Sequence, residues 1–200
     1  MRPTWDEFHM LTAIVTATRS SCLVRQVGAA LVKDKRIIAS GYNGAPPSVE
    51  SCLDTQVCFY QNLAHEDHLK GLGLYEELKE QRKEFCSAIH AEKNAVNQCT
   101  IHGVDPRGAS LFITNFPCPG CVRDVIIPTS ISEVVVWKEY LRNKLLTMDE
   151  YEVSNFWLRQ KGISVRKMEL SSSRMQEIFA MALMVGGRSS YQFQIPVRPA

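Results

Sequence analysis

Apolar positions along this chain repeat with two periods, and the switch between them predicts where helices and strands lie. From Trp5 to Ser20, the residues Phe8, Leu11, Ile14 and Val15 share one helical stripe with the alanines, which predicts an amphipathic helix. Val27-Gly28-Ala29-Ala30-Leu31-Val32 is a short apolar run of the buried-strand type. Lys33-Asp34-Lys35 turns the chain, and Arg36 to Tyr42 returns as a second strand. Asn43-Gly44-Ala45-Pro46-Pro47 then breaks the pattern with strong turn chemistry. Further on, His90 to Gln98 reads as a short helix, Ser110 to Thr114 as a strand and Pro119 to Ile127 as a helix. Glu133 to Trp137 reads as a strand, Met148 to Lys161 as a helix, and Ile163 to Leu170 holds a fifth strand. Ser171-Ser172-Ser173 predicts the N-cap of a helix from Arg174 to Val185. Strands alternating with helices after an opening hairpin predict an α/β fold, a three-layer α/β/α sandwich around one mixed five-stranded sheet.

Residues 45 to 85 interrupt this alternation and read as an insertion. The segment is polar, holds Cys52, Cys58, His65 and His68, and runs into a charged helical stretch from Leu74 to Glu80. The expected organisation is a domain over residues 1–170 that contains this insertion, followed by a C-terminal helix and tail over 171–200 whose role the sequence does not reveal. No internal repeat or low-complexity tract is visible.

Composition narrows the class. At 200 residues the chain has room for one core, and 45% hydrophobic with 22% charged residues is ordinary for a soluble globular protein. A net charge of +2 is too small to give a nucleic-acid footprint, and no basic stripe with interleaved aromatics is present, so no nucleic-acid partner is expected. No apolar run approaches a membrane span, and Met1 to Glu7 has no signal-peptide core, so the expected location is cytoplasmic with no membrane partner. Seven cysteines in such a chain point to metal or catalysis before disulfides.

The chemistry concentrates in two short segments, His90-Ala91-Glu92 and Pro117-Cys118-Pro119-Gly120-Cys121. They supply three zinc-type ligands, His90, Cys118 and Cys121, and one spare carboxylate, Glu92. Three protein ligands leave a fourth position open, which separates a catalytic zinc from a structural one. Cys118 and Cys121 are three residues apart, on one face of a first helical turn whose positive end favours thiolates. His90 and Glu92 are two apart, about 200° around an ideal helix, so both reach one site only if they occupy the turn where the helix begins. Each residue has a plainer reading: a surface imidazole for His90, a dipole partner for Glu92, and a thiol–disulfide couple for Cys118 and Cys121. A zinc-stabilised binding module without turnover is a further alternative, although a binder has no use for Glu92. The combined order His-x-Glu … Pro-Cys-x-x-Cys is the general signature of zinc-dependent nucleobase deaminases.

Longer stretches extend that resemblance. Ser20 to Ala29, Gly41-Tyr42-Asn43-Gly44-Ala45-Pro46, Cys86 to Ala95 and Gly108 to Thr114 resemble the deoxycytidylate (dCMP) deaminases, over about residues 5 to 167. The resemblance implies a cytidine deaminase-like fold and zinc-dependent hydrolysis of dCMP to dUMP and ammonia, with water attacking C4 of the cytosine. It assigns His90, Cys118 and Cys121 to zinc and Glu92 to proton shuttling. It places Asn43 at the nucleotide, with Gly41, Tyr42 and Gly44 shaping that loop, Ala91 at the pyrimidine edge and Tyr140 as a nearby aromatic; an ordinary strand-end Tyr is the alternative for Tyr140. It further implies a small-molecule nucleotide substrate, dCTP as activator, dTTP as inhibitor, and a homo-oligomer, hexamer or smaller. Another cytosine nucleotide, such as 5-methyl- or 5-hydroxymethyl-dCMP, is the nearest alternative substrate, because one substituent changes pocket energetics by only about 1–3 kcal/mol. Two departures stand out: the insertion between Glu50 and Glu84 lacks a match in many members, and the tail beyond Leu170 has no counterpart.

Cys22, Cys52, Cys58 and Cys86 remain once the first site has taken its ligands. Some family members bind a structural zinc near these positions. A second zinc here, with His65 or His68 able to replace Cys58, would pin the insertion to the core. The alternative is that Cys22 and Cys86 are buried small hydrophobes. Cys99, after the first motif, reads as core.

Overall fold

Five strands form one mixed sheet in the order β2-β1-β3-β4-β5. The computed structural model describes residues 2–58, 86–137 and 148–183. Along these the elements are α1 (Trp5–Ala17), β1 (Gly28–Lys33), β2 (Arg36–Tyr42), α2 (Cys52–Thr55), α3 (Ala91–Ile101) and β3 (Ser110–Ile113). They continue with α4 (Pro119–Cys121), which runs into a π-helical turn over Val122–Ile126, then β4 (Glu133–Val136), α5 (Met148–Gln160), β5 (Ser164–Lys167) and α6 (Ser172–Leu183). The β1–β2 and β1–β3 pairs are antiparallel, whereas β3–β4 and β4–β5 are parallel.

Strand alternation sorts the core into two layers. Ala29, Leu31, Leu111, Ile113, Val134 and Val136 face one side, where they pack with Ala91, Ala95 and Cys99 of α3, Val122 and Ile126 after α4, and Leu158 of α5. Ala30, Val32, Phe112 and Val135 point the other way, onto Met10 and Ala13 of α1. Helices therefore cover both faces, and the expected three-layer sandwich is what forms. Cys99 is buried at 1% exposure, as core.

Local chemistry explains the boundaries. Thr4 and Glu7 close a capping box at the start of α1. That helix stops at Ala17 and not at Ser20, because the amides of Thr18, Arg19 and Ser20 bond three residues back, to Val15, Thr16 and Ala17, as a helix tightens at its end. Asp34 and Lys35 both take positive φ, 51° and 63°, which gives the hairpin a turn matched to strand twist. The expected helix from Pro119 to Ile127 is a single α turn followed by the π segment, in which the Ile127 amide reaches the Val122 carbonyl at 3.0 Å. The fifth strand stops at Lys167 although the sequence pattern runs to Leu170; only the Met168 amide still reaches β4, at the Val136 carbonyl, 2.8 Å away. The Ser171 hydroxyl accepts from the Arg174 amide at 3.1 Å and caps α6.

Two glycines let layers approach. A Cβ on Gly28 would lie 2.0 Å from the Ala13 carbonyl oxygen of α1. A Cβ on Gly41 would lie 2.4 Å from both the Ala91 oxygen and the Ala95 nitrogen of α3. In the 45–85 insertion, α2 is capped by Ser51, and the Leu53 amide donates to the Ser21 carbonyl at 3.1 Å, which ties this stretch to the loop after α1. His65, His68, the stretch from Leu74 to Glu80, and Tyr140 lie outside the described residues.

Candidate metal centre

His90 is the N-cap of α3 and not part of it, with extended φ −69° and ψ 152°. Ile89 and Gly44 exchange backbone hydrogen bonds of 2.8 and 3.1 Å just before it, so the chain enters the helix from a fixed direction. That resolves the 200° problem. His90 projects from extended backbone and Glu92 from the first turn, and both line one cavity. The Asn94 amide group anchors the same helix by donating to the Tyr42 carbonyl at 2.7 Å.

Cys118 caps α4 in the same way, with φ −72° and ψ 162°, and its sulfur accepts from the Cys121 amide at 3.5 Å. Pro119 fills the first helical position, where an N–H would have no partner. His90 Nδ1 lies 3.6 Å from Cys118 Sγ and 3.3 Å from Cys121 Sγ. Tetrahedral zinc with ordinary Zn–N and Zn–S bonds separates such atoms by about 3.6 Å. Among the described residues, this is the group whose three ligand atoms all lie within 4.8 Å of one another. The donor set and its spacing fit zinc.

Electrostatics agree with that use. The Cys118 thiol is pushed down to about 4, chiefly by the Cys121 thiol proton and also by His90 and the Cys121 amide. Cys121 is pushed up because its proton serves Cys118. His90 is raised, first by its bond to Cys118. Glu92 is 4% exposed, and burial pushes its carboxyl up to about 7, against the opposing pull of His90. A carboxyl poised near neutrality can both take and give a proton.

The cavity measures about 400 Å³. Cys22, Arg25, Val27 and Asn43 line it on the β1–β2 side, and Phe116, Gly120 and Glu150 on the α4–α5 side. Asn43 is buried and mostly committed: Oδ1 accepts from the Val27 amide at 2.8 Å and from the Ser20 hydroxyl at 2.8 Å, and Nδ2 donates to the Arg25 carbonyl at 2.9 Å. It holds the loop over residues 20–27 in shape. Gly41 lies where β2 crosses α3 and is not among the residues lining the cavity, while Gly44 packs against Ser21. Ala91 is fully buried and lines the cavity; Tyr42 is 36% exposed.

Cys22, Cys58 and Cys86 line the same cavity. The Cys52 thiol is pushed up by burial and then by the nearby Cys58, Cys22 and Cys86. They do not reach the mutual spacing of the His90 group. The sequence reading missed Arg25, Phe116 and Glu150. Arg25 sat in plain view inside the Ser20–Ala29 segment. Glu150 carries no signal, because its place depends on how α5 docks.

The family described as "cytidine and deoxycytidylate deaminase zinc-binding region" matches residues 3–138. The chain is 31% identical over 169 residues to ComE operon protein 2 of Bacillus subtilis, which spans 84% of this chain and 74% of that protein. It is 36% identical over 138 residues to the deoxycytidylate deaminase of Mycobacterium phage D29, covering 69% of this chain and 98% of the phage enzyme. The crystal structure of dCMP deaminase from cyanophage S-TIM5, in complex with dCMP and dUMP, superposes with a TM-score of 0.59 at 26% identity, over 84% of this chain and 99% of the other. With its His90–Cys118–Cys121 group built as such a site requires, the chain belongs to the cytidine and deoxycytidylate deaminase family.

Proposed function

We propose that this chain hydrolyses dCMP to dUMP and ammonia, with zinc held by His90, Cys118 and Cys121 and with Glu92 as the proton carrier. The observation that carries the reading is the open three-ligand group with a buried carboxyl beside it in a nucleotide-sized cavity. Bound zinc supplies a Lewis acid that brings water to reactivity near neutral pH. Glu92 takes the proton of that water, delivers it to N3 of the cytosine and later helps the amine leave as ammonia. Arg25 supplies a cation for the 5′-phosphate, and Asn43 keeps the Arg25 loop in place. The dCMP and dUMP held by the cyanophage relative support a monophosphate substrate.

A purified-enzyme screen for ammonia release from dCMP, CMP, deoxycytidine and dCTP tests this. Preference for dCMP supports the reading; equal efficiency on deoxycytidine overturns the monophosphate. Ammonia release that survives removal of all zinc overturns the metal.

A second zinc at Cys22, Cys52, Cys86 and Cys58 (or a nearby His) belongs to the same proposal, supported by the nearness of Cys58, Cys22 and Cys86 to Cys52. It would clamp the loop over 20–27 to α2 and to the segment entering His90. Two zincs per chain, falling to one in Cys52→Ser with a lower melting temperature, is the expected result. One zinc in the wild type removes the second site.

Activation by dCTP, inhibition by dTTP and a homo-oligomer, hexamer or smaller, rest on the family resemblance. Initial rates with each triphosphate, and light scattering with and without them, test these points. No described helix is long and apolar enough to cross a membrane. The cytoplasmic location and the division at residue 170 are proposed on the sequence grounds given above.

A further inference from the structure

We propose that Ser20 is a positioning residue for nucleotide binding: its hydroxyl occupies the oxygens of Asn43, so that Asn43 meets a molecule in the cavity as a hydrogen-bond donor. This rests on the deaminase reading and names a residue behind its nucleotide contact.

Ser20 is 7% exposed and is not among the residues lining the cavity, so it acts through a neighbour. Its Oγ lies 2.8 Å from Asn43 Oδ1 and 2.9 Å from the Asn43 carbonyl oxygen. One hydroxyl proton is thus shared between two oxygens of a single residue, which fixes the Asn43 side chain against its own backbone. The same Oγ accepts from the Cys22 amide at 3.2 Å and lies 3.3 Å from the Arg25 carbonyl, so the stretch from Ser20 to Arg25 closes around it. The Arg25 carbonyl in turn accepts from Asn43 Nδ2 at 2.9 Å.

The hydrogen-bonding inventory of Asn43 decides what it offers a ligand. Oδ1 accepts from the Val27 amide and from Ser20, which uses both of its lone pairs. A backbone amide on one side and a backbone carbonyl on the other leave the side-chain amide one orientation. Nδ2 carries two protons, and the Arg25 carbonyl takes one. Asn43 lines the cavity, and among the described residues no other group accepts from Nδ2. What remains for a ligand is one N–H, which suits an oxygen acceptor on the nucleotide. Without the Ser20 hydroxyl, an Oδ1 lone pair is left bare beside an oxygen-rich ligand, and the side chain loses a restraint. The zinc ligands are held separately, by the Ile89–Gly44 exchange and by Asn94 on the Tyr42 carbonyl, so the effect falls on binding more than on chemistry.

The test compares KM and kcat for dCMP, and the calorimetric Kd of dUMP, in wild type, Ser20→Ala, Asn43→Ala and the double variant, with zinc content and thermal midpoint recorded for each. In Ser20→Ala, KM and Kd should rise about three- to tenfold, as the loss of one hydrogen bond implies, while kcat stays within about twofold and zinc is retained. In the Asn43→Ala background the same substitution should change KM by less than about twofold, because its effect passes through the missing side chain. Asn43→Asp keeps an acceptor for Val27 and Ser20 but replaces the donor with an oxygen, so KM should rise further than in Ser20→Ala. A Ser20→Ala protein that fails to fold, or that folds with a wild-type KM, makes Ser20 structural only and overturns the proposal. Effects that multiply in the double variant, or a wild-type KM in Asn43→Asp, overturn it too; in each case deamination of dCMP by wild type keeps the deaminase reading. If wild type neither releases ammonia from a cytosine nucleotide nor binds dUMP, the deaminase reading fails and this assignment falls with it.

Discussion

Arg174 grips both carboxylate oxygens of Glu7, with Nε 2.8 Å from Oε1 and Nη2 3.3 Å from Oε2, across 167 residues of sequence. Glu7 also accepts from the Thr4 amide at 2.7 Å, so one carboxylate caps α1 and holds α6 against it. The helix beyond residue 170 is thereby fastened to the sandwich. Arg174, and then the Thr4 amide, hold the Glu7 carboxyl down at about 2, from 4.5. A depressed folded-state pKa means the contribution is complete above pH 4.5 and is lost as pH falls toward 2. Wild type should lose thermal stability through that acid window. Glu7→Gln should be less stable at pH 7 and converge on wild type near pH 2. Parallel melting curves at every pH would show that the pair contributes nothing.

Gly41→Ala is expected to be severe for a buried position that gains a single methyl group. The new Cβ meets the backbone of α3 at 2.4 Å, and backbone cannot rotate away. Overpacking of this kind costs about 1–3 kcal/mol, and here it displaces the helix that begins at His90 and carries Glu92. Denaturant unfolding should report the loss in stability, and kcat should fall with it. A variant with wild-type stability would mean that α3 moves freely against β2.

Asn43→Ala separates positioning from chemistry. It removes the acceptor of the Val27 amide and the donor to the Arg25 carbonyl. Each buried polar group left unpaired costs about 1–3 kcal/mol. Because the slackened loop carries Arg25, KM for dCMP should rise more than kcat falls. A fall in kcat alone, with KM unchanged, would place Asn43 at the reacting base.

These cases also show what the sequence could carry. β1, β3 and β4 are apolar on both faces, as strands covered by helices on each side must be, so the sandwich was legible from these apolar runs and from the alternation of strands with helices. That His90, Cys118 and Cys121 come together was legible because ligand chemistry restricts residue type and spacing. Gly41 was read as part of a nucleotide loop, whereas its neighbours are the Ala91 and Ala95 backbone; a glycine's reason is set by what approaches it. Helix ends at Ala17 and Cys121 were missed because tightening to three-residue bonds and widening to a π turn answer to packing. Glu150 was invisible, since a helix-surface carboxylate acquires meaning only from the cavity that its helix happens to border.

Glu92→Gln gives the sharpest test of the chemistry. Glutamine keeps the size and hydrogen-bonding shape of the side chain but cannot carry a proton. General acid–base groups are worth about 10²–10⁴-fold, and this one would serve both the attacking water and the departing amine, so the loss should lie at the upper end of that range. Glu92 is no ligand in the His90–Cys118–Cys121 group, so zinc content should stay at the wild-type value. Replacing a buried carboxyl, whose burial raises its pKa to about 7, with a neutral amide also relieves the cost of charging it. The melting temperature near pH 8 should therefore hold or rise while ammonia release from dCMP disappears. Turnover near the wild-type rate in a zinc-loaded Glu92→Gln protein would remove Glu92 from the mechanism.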